Sequence, residues 1–201
     1  MEEQSLRLKI VLATGNPGKL RELQRMLGER FELIPQTALG VSEVEETGAT
    51  FAENALLKAR HAAAVTGLPA IADDSGLEVD ALNGAPGVRS ARYAGEGATD
   101  ADNNQKLLEA MSAIPAEDRT ANFRSVVVFV DGGPDSEPLV AEGEWSGQIL
   151  KVPRGEGGFG YDPLFLDKKS GLTGAELAPD EKNARSHRGQ AIKKLCDLLK
   201  A

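Results

Sequence analysis

The sequence predicts an α/β protein, a layered sheet with loops at the ends of its strands. Three observations predict it. Short apolar, β-prone runs alternate with segments of helical periodicity through the first third of the chain. The changeovers fall at glycine, proline or capping residues. The chain has 201 residues, of which 41% are hydrophobic and 27% charged, enough apolar surface for one core and a composition far from that of disordered chains.

In chain order, Leu8 to Ala13 form an apolar run, Thr14-Gly15-Asn16-Pro17-Gly18 interrupts it, and Leu20, Leu23 and Leu27 recur at helical spacing: strand, loop, helix. Phe31 to Pro35 is a second strand, followed by an irregular acidic stretch with Glu43, Glu45 and Glu46. Thr50 and Glu53 fit a capping box, and the helix they open runs through Ala55, Ala59 and Ala62 until Gly67 stops it. Pro69 to Ala72 is a short strand ending at Asp73-Asp74-Ser75-Gly76. Leu77 to Leu82 alternates apolar with acidic residues before the turn signal Asn83-Gly84, and the next stretch reads as loop. A helix begins near Thr99 with Leu107, Leu108 and Met111 on one face and Pro115 beyond its end. Phe123 to Val130 is a long β-branched strand, Asp131-Gly132-Gly133-Pro134 turns the chain, and Leu139 to Trp145 returns as a hairpin partner. The glycine-rich segment Gly155 to Gly160 leads into Tyr161-Asp162-Pro163, and a last helix carries Ile192, Leu195, Leu198 and Leu199. With no repeat and no long linker, residues 1–201 are expected to form one domain, with room for two lobes.

Charge and residue counts narrow the function. Lys and Arg total 23 against 31 Asp and Glu, a net charge of -8, which argues against holding a nucleic acid polymer on a broad basic face. Aromatic residues at 4% are too sparse for base-stacking platforms. A small anion held by a few lysines remains open. The single cysteine, Cys196, forms no internal disulfide and sits on an apolar helical pattern, so it reads as inert core. The start Met1-Glu2-Glu3-Gln4 lacks signal-peptide character, and no apolar run approaches the roughly 18 residues of a membrane span, so a cytoplasmic location without a membrane partner is expected. Two histidines, one cysteine and no HExxH make a zinc site improbable, and no Gly-x-Ser-x-Gly elbow occurs.

Four segments carry candidate chemistry. Gly155-x-Gly157-x-x-Gly160 matches a dinucleotide fingerprint in letters, but Pro163 follows too soon for the helix the fingerprint requires. Gly15-Asn16-Pro17-Gly18-Lys19 lacks Walker spacing, yet a strand-to-helix turn presents backbone N–H groups and a positive helix end, with Lys19 at hand; a plain βα turn is the alternative. Asp73 and Asp74 lie where an apolar strand ends, on opposite faces if extended; Asp-Ser-Gly also reads as a simple turn. Together with Glu43, Glu45 and Glu46 they offer the hard oxygen donors Mg²⁺ prefers, or a solvated acidic loop. Lys182 to Arg188 is dense in donors ahead of the final helix, either a solvated helix start or an anion site.

The ordered set Thr14-Gly15-Asn16-Pro17-Gly18-Lys19, Phe51-Ala52-Glu53-Asn54-Ala55, Ala72-Asp73-Asp74-Ser75-Gly76-Leu77, Gly84-Ala85-Pro86-Gly87-Val88, Ser90-Ala91-Arg92-Tyr93, Gly158-Phe159-Gly160-Tyr161-Asp162-Pro163 and Ser186-His187-Arg188-Gly189 strongly resembles the pyrophosphatases of deaminated purine nucleoside triphosphates. These are the dITP/XTP or inosine triphosphate pyrophosphatases, also called Ham1-like. The resemblance implies a twisted mixed sheet flanked by helices, two lobes with the substrate in a central cleft, a homodimer, and Mg²⁺-dependent cleavage of dITP, ITP and XTP between the α and β phosphates. It also implies residue roles. Asp74 is the general base and a Mg²⁺ ligand, with Glu45 contributing to the metal; Thr14, Gly15, Asn16, Pro17, Gly18 and Lys19 hold the phosphates with Lys58 and Lys182; Ser75, Phe159, Gly160, Tyr161, Asp162, His187 and Arg188 contact the nucleoside. The residue types suit the chemistry, because a polyanion repels a nucleophile unless cations spread its charge. A Maf-like pyrophosphatase and a nucleotide sensor without catalysis are the alternatives; Asp73-Asp74-Ser75-Gly76 and Ser186-His187-Arg188 favour the purine reading over the first, and the acidic residues Asp74 and Glu45 count against the second.

Overall fold

The computed structural model describes residues 7–133 and 136–200; the opening tetrapeptide and Pro134 of the predicted turn lie outside the described residues. The strands are β1 (Lys9–Leu12), β2 (Glu32–Pro35), β3 (Ala70–Val79), β4 (Thr120–Val130), β5 (Leu139–Ile149), β6 (Phe165–Asp167) and β7 (Leu172–Thr173). The α-helices are α1 (Pro17–Leu27), α2 (Phe51–Thr66), α3 (Asp100–Ala110), α4 (Pro179–Arg185) and α5 (His187–Leu198). The seven strands follow the order β2-β1-β3-β4-β5-β6-β7 in one mixed sheet. β1 pairs parallel with β2 and with β3, while β6 pairs antiparallel with β5 and with β7. The parallel pairs are those whose crossovers contain α1 and α2, as parallel pairing requires. The predicted α/β class holds, and the chain divides into two compact units.

The first unit contains the described residues up to Asp74, Val126–Ala141 and the residues from Lys194 onward. Ile10, Val11 and Leu12 are fully buried, the continuous apolar run of a parallel strand covered on both faces. α1 opens with Asn16 as N-cap and Pro17 in its first turn, where proline's missing N–H leaves no helical bond unmade. The capping box on α2 is present: Thr50 Oγ1 accepts from the Glu53 N–H, and Glu53 Oε2 accepts from the Thr50 N–H, both at 3.2 Å. Gly67 closes α2 at φ +68°, the left-handed cap glycine adopts without a Cβ penalty. Ala55, Ala59 and Ala62 form its fully buried face.

The second unit comprises Ser75–Ser125 and Glu142–Lys193. Its core gathers Leu77, Val79, Leu107, Met111, Phe123, Trp145, Ile149, Tyr161, Leu164 and Phe165. On β5 the inward positions include two glycines. A Cβ on Gly147 would strike the Phe165 ring, and one on Gly143 would meet the His187 carbonyl and lie 2.8 Å from the Ala191 nitrogen. Gly143 therefore lets the first turn of α5 lie against the strand backbone. Gly143→Ala is expected to lower stability by roughly 1–3 kcal/mol through overpacking against backbone that cannot retreat, measured by thermal unfolding; an unchanged melting temperature would mean that the α5 start shifts freely.

One expectation needs correcting, and one of two open alternatives falls away. β3 does not end before Asp73-Asp74-Ser75-Gly76 but runs unbroken through it to Val79, so the segment is strand and not turn. Gly76 and the polar run suggested a break; burial of Leu77 and Val79 sustains the strand instead. The donor-rich segment is not a solvated helix start: Lys182 belongs to the short helix α4, His187 and Arg188 open α5, and all three are buried. Cys196 is a free, buried thiol as expected, whereas Leu198 faces outward.

Candidate active site

In the first unit, the phosphate-loop candidate is organised from within. Asn16 Oδ1 accepts from the Gly18 and Lys19 N–H groups at 2.9 and 3.0 Å, and Thr14 Oγ1 accepts from the Asn16 N–H at 3.2 Å. The turn was expected to present these amides to an anion; the structure satisfies them with the Asn16 carboxamide, which preorganises the loop and leaves the positive helix end in place. Gly15 lets the exposed Glu43 carboxylate lie close against the loop backbone.

Beyond the loop, the consecutive carboxylates Asp73 and Asp74 on β3 lie against two lysines, Lys19 and Lys58. Asp73, fully buried, pairs with Lys19 Nζ at 2.8 Å. Lys58, two turns into α2, donates to Asp74 Oδ1 at 3.0 Å, to the Asp73 carbonyl at 2.9 Å and to Glu46 Oε1 at 2.6 Å. Burial pushes the Asp74 carboxyl up, and although Lys19 and Lys58 pull it down, it stays above the ordinary carboxylate value. Burial alone would lower Lys58, but Asp74, Glu46 and Asp73 more than offset this and raise it, so it remains an ammonium at neutral pH. Asp74 Oδ2 is buried and accepts no hydrogen bond.

That orphaned oxygen is where a divalent cation fits. Among the described residues no group of three His, Cys, Asp or Glu side chains is assembled to hold a metal. Mg²⁺ needs fewer protein ligands when substrate phosphates complete its shell, and hard carboxylate oxygens are the donors it takes. The acidic loop is anchored at its far end: the Asn54 Oδ1, fully buried on α2, accepts from the Gly48 N–H at 2.7 Å. Glu45 is exposed, and the carboxylate that meets Lys58 belongs to its neighbour Glu46. Sequence reasoning missed Asp73 and Glu46 as lysine anchors; the only signal was their adjacency to Asp74 and Glu45.

In the second unit, the turn Phe159–Asp162 forms the centre. Asp162, almost wholly buried, places Oδ2 2.5 Å from Lys182 Nζ and 2.8 Å from the Phe159 N–H. Its carboxylate fills space that a Cβ on Gly158 or Gly174 would occupy, and Gly158 sits at φ +70°. The Phe159 ring has Lys182 Nζ 4.8 Å and the Arg188 guanidinium 5.6 Å from its centroid. Arg188 Nη2 also donates to Ser75 Oγ at 2.7 Å. Tyr161 donates its hydroxyl to the Ser90 carbonyl at 2.8 Å. Burial, with Tyr93 and Asp100 nearby, pushes that phenol far above its usual range, so it stays a donor. His187 is buried, its ring stacked on Phe123 at 4.7 Å. The tight α4–α5 junction depends on Gly189, where a Cβ would overlap the Asn183 carbonyl.

Thus each predicted site residue falls into one of two groups: Thr14 to Lys19, Lys58 and Asp74 with the acidic loop, and Ser75, Phe159 to Asp162, Lys182, His187 and Arg188. Asp74 ends the first unit and Ser75 begins the second. The first unit thus carries a glycine turn after β1 and a buried Asp–Lys cluster on β3, and the second a cation-flanked Phe-Gly-Tyr-Asp turn, within one α/β sheet. The chain belongs to the Ham1 family, whose model matches residues 10–198. It is 58% identical over 193 residues to the dITP/XTP pyrophosphatases of Shigella flexneri and of Escherichia coli strain K12, covering 96% of this chain and 98% of each relative. A solved HAM1 protein structure from Coxiella burnetii superposes with a TM-score of 0.87 at 53% identity, over 96% of this chain and 98% of that one.

Proposed function

We propose that the protein is a Mg²⁺-dependent nucleoside-triphosphate pyrophosphatase that hydrolyses dITP, ITP and XTP to the monophosphate and pyrophosphate, removing deaminated purines from the nucleotide pool. The observation that carries the chemistry is Asp74, a buried carboxylate with one oxygen on Lys58 and the other unpartnered. Near-full-length identity to dITP/XTP pyrophosphatases supports the substrate class.

On this reading Lys19 and Lys58, held by Asp73 and Glu46, meet the anionic phosphates, and the positive end of α1 adds to their field. Asp74, with Glu45 or Glu46 from the acidic loop, would hold Mg²⁺, which spreads polyphosphate charge and makes a bound water more acidic. Asp74 takes the proton of the attacking water. The water oxygen forms the new bond to the α phosphorus, the bond from that phosphorus to the bridging oxygen breaks, and pyrophosphate leaves.

Base choice follows hydrogen-bond polarity. Hypoxanthine and xanthine present an O6 acceptor and an N1–H donor, opposite to adenine, so donors such as Arg188 and turn amides disfavour ATP. Assembly as a homodimer is what the family resemblance implies, and a place in the cytoplasm is the expectation drawn from the sequence; among the described residues no helix is long and apolar enough to cross a membrane. Incubation with ITP, XTP, dITP, GTP, ATP, dUTP and dTTP, with and without Mg²⁺, is expected to release monophosphate and pyrophosphate from the first three only, and only with the metal. Cleavage confined to dTTP or dUTP would point to a Maf-like specificity, and binding without products to a sensor.

A further inference from the structure

We propose that Asp100 and Asn104, on the first turns of α3, are positioning residues that set the base-recognition turn by gripping both sides of Gly160. The inference rests on the reading that Phe159 to Asp162 meet the nucleoside, and it adds two residues outside the motifs that carry that reading.

Asp100 Oδ2 accepts from the Gly160 N–H at 2.7 Å, and Asn104 Nδ2 donates to the Gly160 carbonyl at 2.8 Å. Gly160 stands at φ +60°, so the two peptide groups flanking it are fixed in a left-handed conformation and pinned from one helix. The Asn104 amide is oriented unambiguously, because the same Nδ2 also donates to the Asp100 carbonyl at 2.9 Å, and a flipped amide would set oxygen against two carbonyls. Its Oδ1 is buried without a hydrogen-bond partner. A side chain chosen only for packing would not leave a buried acceptor unmet; this one keeps its NH₂ on Gly160.

Neither residue is needed to start the helix. The N-cap is Thr99, whose hydroxyl accepts from the Asp102 N–H while Asp102 Oδ2 accepts from the Thr99 N–H at 2.8 Å. Asn103, between the two, faces another way: its Oδ1 accepts from the Ala94 N–H and its Nδ2 donates to the Ala91 carbonyl. Asp100 is exposed apart from its bond to Gly160. The opposite side of the turn is tied by Asp162 to the Phe159 N–H and by Tyr161 to Ser90. Asp100 and Asn104 thus complete a frame around a four-residue turn whose Phe159 ring stands beside Lys182 and Arg188. The helix start sets where the turn's amides and the aromatic face lie, and a ligand reads those.

The test uses the full-length protein with wild type measured first. Failure of wild type to release pyrophosphate from ITP or XTP would sink the functional reading itself, whatever α3 does. With an active wild type, Asp100→Ala and Asn104→Ala are each expected to raise KM for ITP about tenfold, the scale of one well-placed hydrogen bond, with kcat within about twofold. The preference for ITP over ATP should fall in step, and Asp100→Asn, which retains an acceptor for the Gly160 N–H, should restore most of both. The double alanine variant should cost less than the product of the singles, since both act on one turn. Unchanged KM and base preference would overturn the proposal, as would a uniform loss of kcat for every nucleotide with a lowered melting temperature, the mark of a merely structural role.

Discussion

Asp74→Asn is expected to lower kcat on ITP by about 10³-fold or more, the combined scale of removing a general base and a carboxylate metal ligand. The substitution is nearly isosteric, and the backbone of the loop Thr14 to Lys19 is organised by its own Thr14 and Asn16 side chains. Nucleotide affinity, measured by calorimetry, should therefore stay near that of wild type. Stability should not fall. The fold raises the Asp74 proton affinity through burial. Its stabilising contribution is thus present below the carboxyl's ordinary value and is lost as pH rises through the raised one, so at neutral pH the ionised group in the metal-free protein is a net cost. The asparagine variant without Mg²⁺ should melt at or above the wild-type temperature at pH 7, with the gap closing on acidification. Near-normal turnover would remove Asp74 from the base role; a large drop in melting temperature would mean that its bond to Lys58 is chiefly structural.

Elements governed by local rules were legible in the sequence. The capping box at Thr50 and Glu53, the stop at Gly67 and the helical spacing of Leu20, Leu23 and Leu27 appear in the fold as read, because each depends on residues within one or two turns. β3 was misread at Ser75-Gly76 because turn chemistry competes there with tertiary burial, and burial of Leu77 and Val79 wins. The short strands β6 and β7, of three and two residues, carry too little pattern to be seen. At the site, alternation suggested that at most one of Asp73 and Asp74 would aim into a given site, yet Lys58 bonds the Asp74 carboxylate and the Asp73 carbonyl while Lys19 pairs with Asp73 and its charge also acts on Asp74; these contacts join β3 to α1 and α2, a matter of topology. Lys182 could not be assigned to Asp162 from the sequence for the same reason: twenty residues and two strands separate them.

Asp162→Ala tests whether the nucleoside-side turn is held by charge, and it is expected to be the most destabilising change in the site. Lys182 is almost fully buried, with its ammonium between the Asp162 carboxylate and the Phe159 ring. A ring face attracts a cation by only about 0.5–2 kcal/mol. Removing one partner of a buried ion pair typically costs about 3–5 kcal/mol, because the remaining charge keeps its desolvation penalty. In a chain of this size that loss corresponds to a fall in melting temperature of roughly 6–20 °C. The Phe159 N–H loses its acceptor at the same time, so the turn should loosen and activity on ITP should fall with stability. Two further variants separate charge from packing. Asp162→Asn keeps an acceptor for Phe159 while removing the charge, so it should lie between wild type and alanine. Adding Lys182→Met to Asp162→Ala removes the stranded ammonium and should recover much of the melting temperature without recovering activity, since a stable apolar pair restores packing but supplies no cation to a polyanionic substrate. Recovery of activity together with stability in that double variant would show that the pair serves only the fold, and the phosphate or base contact assigned to Lys182 would have to be withdrawn.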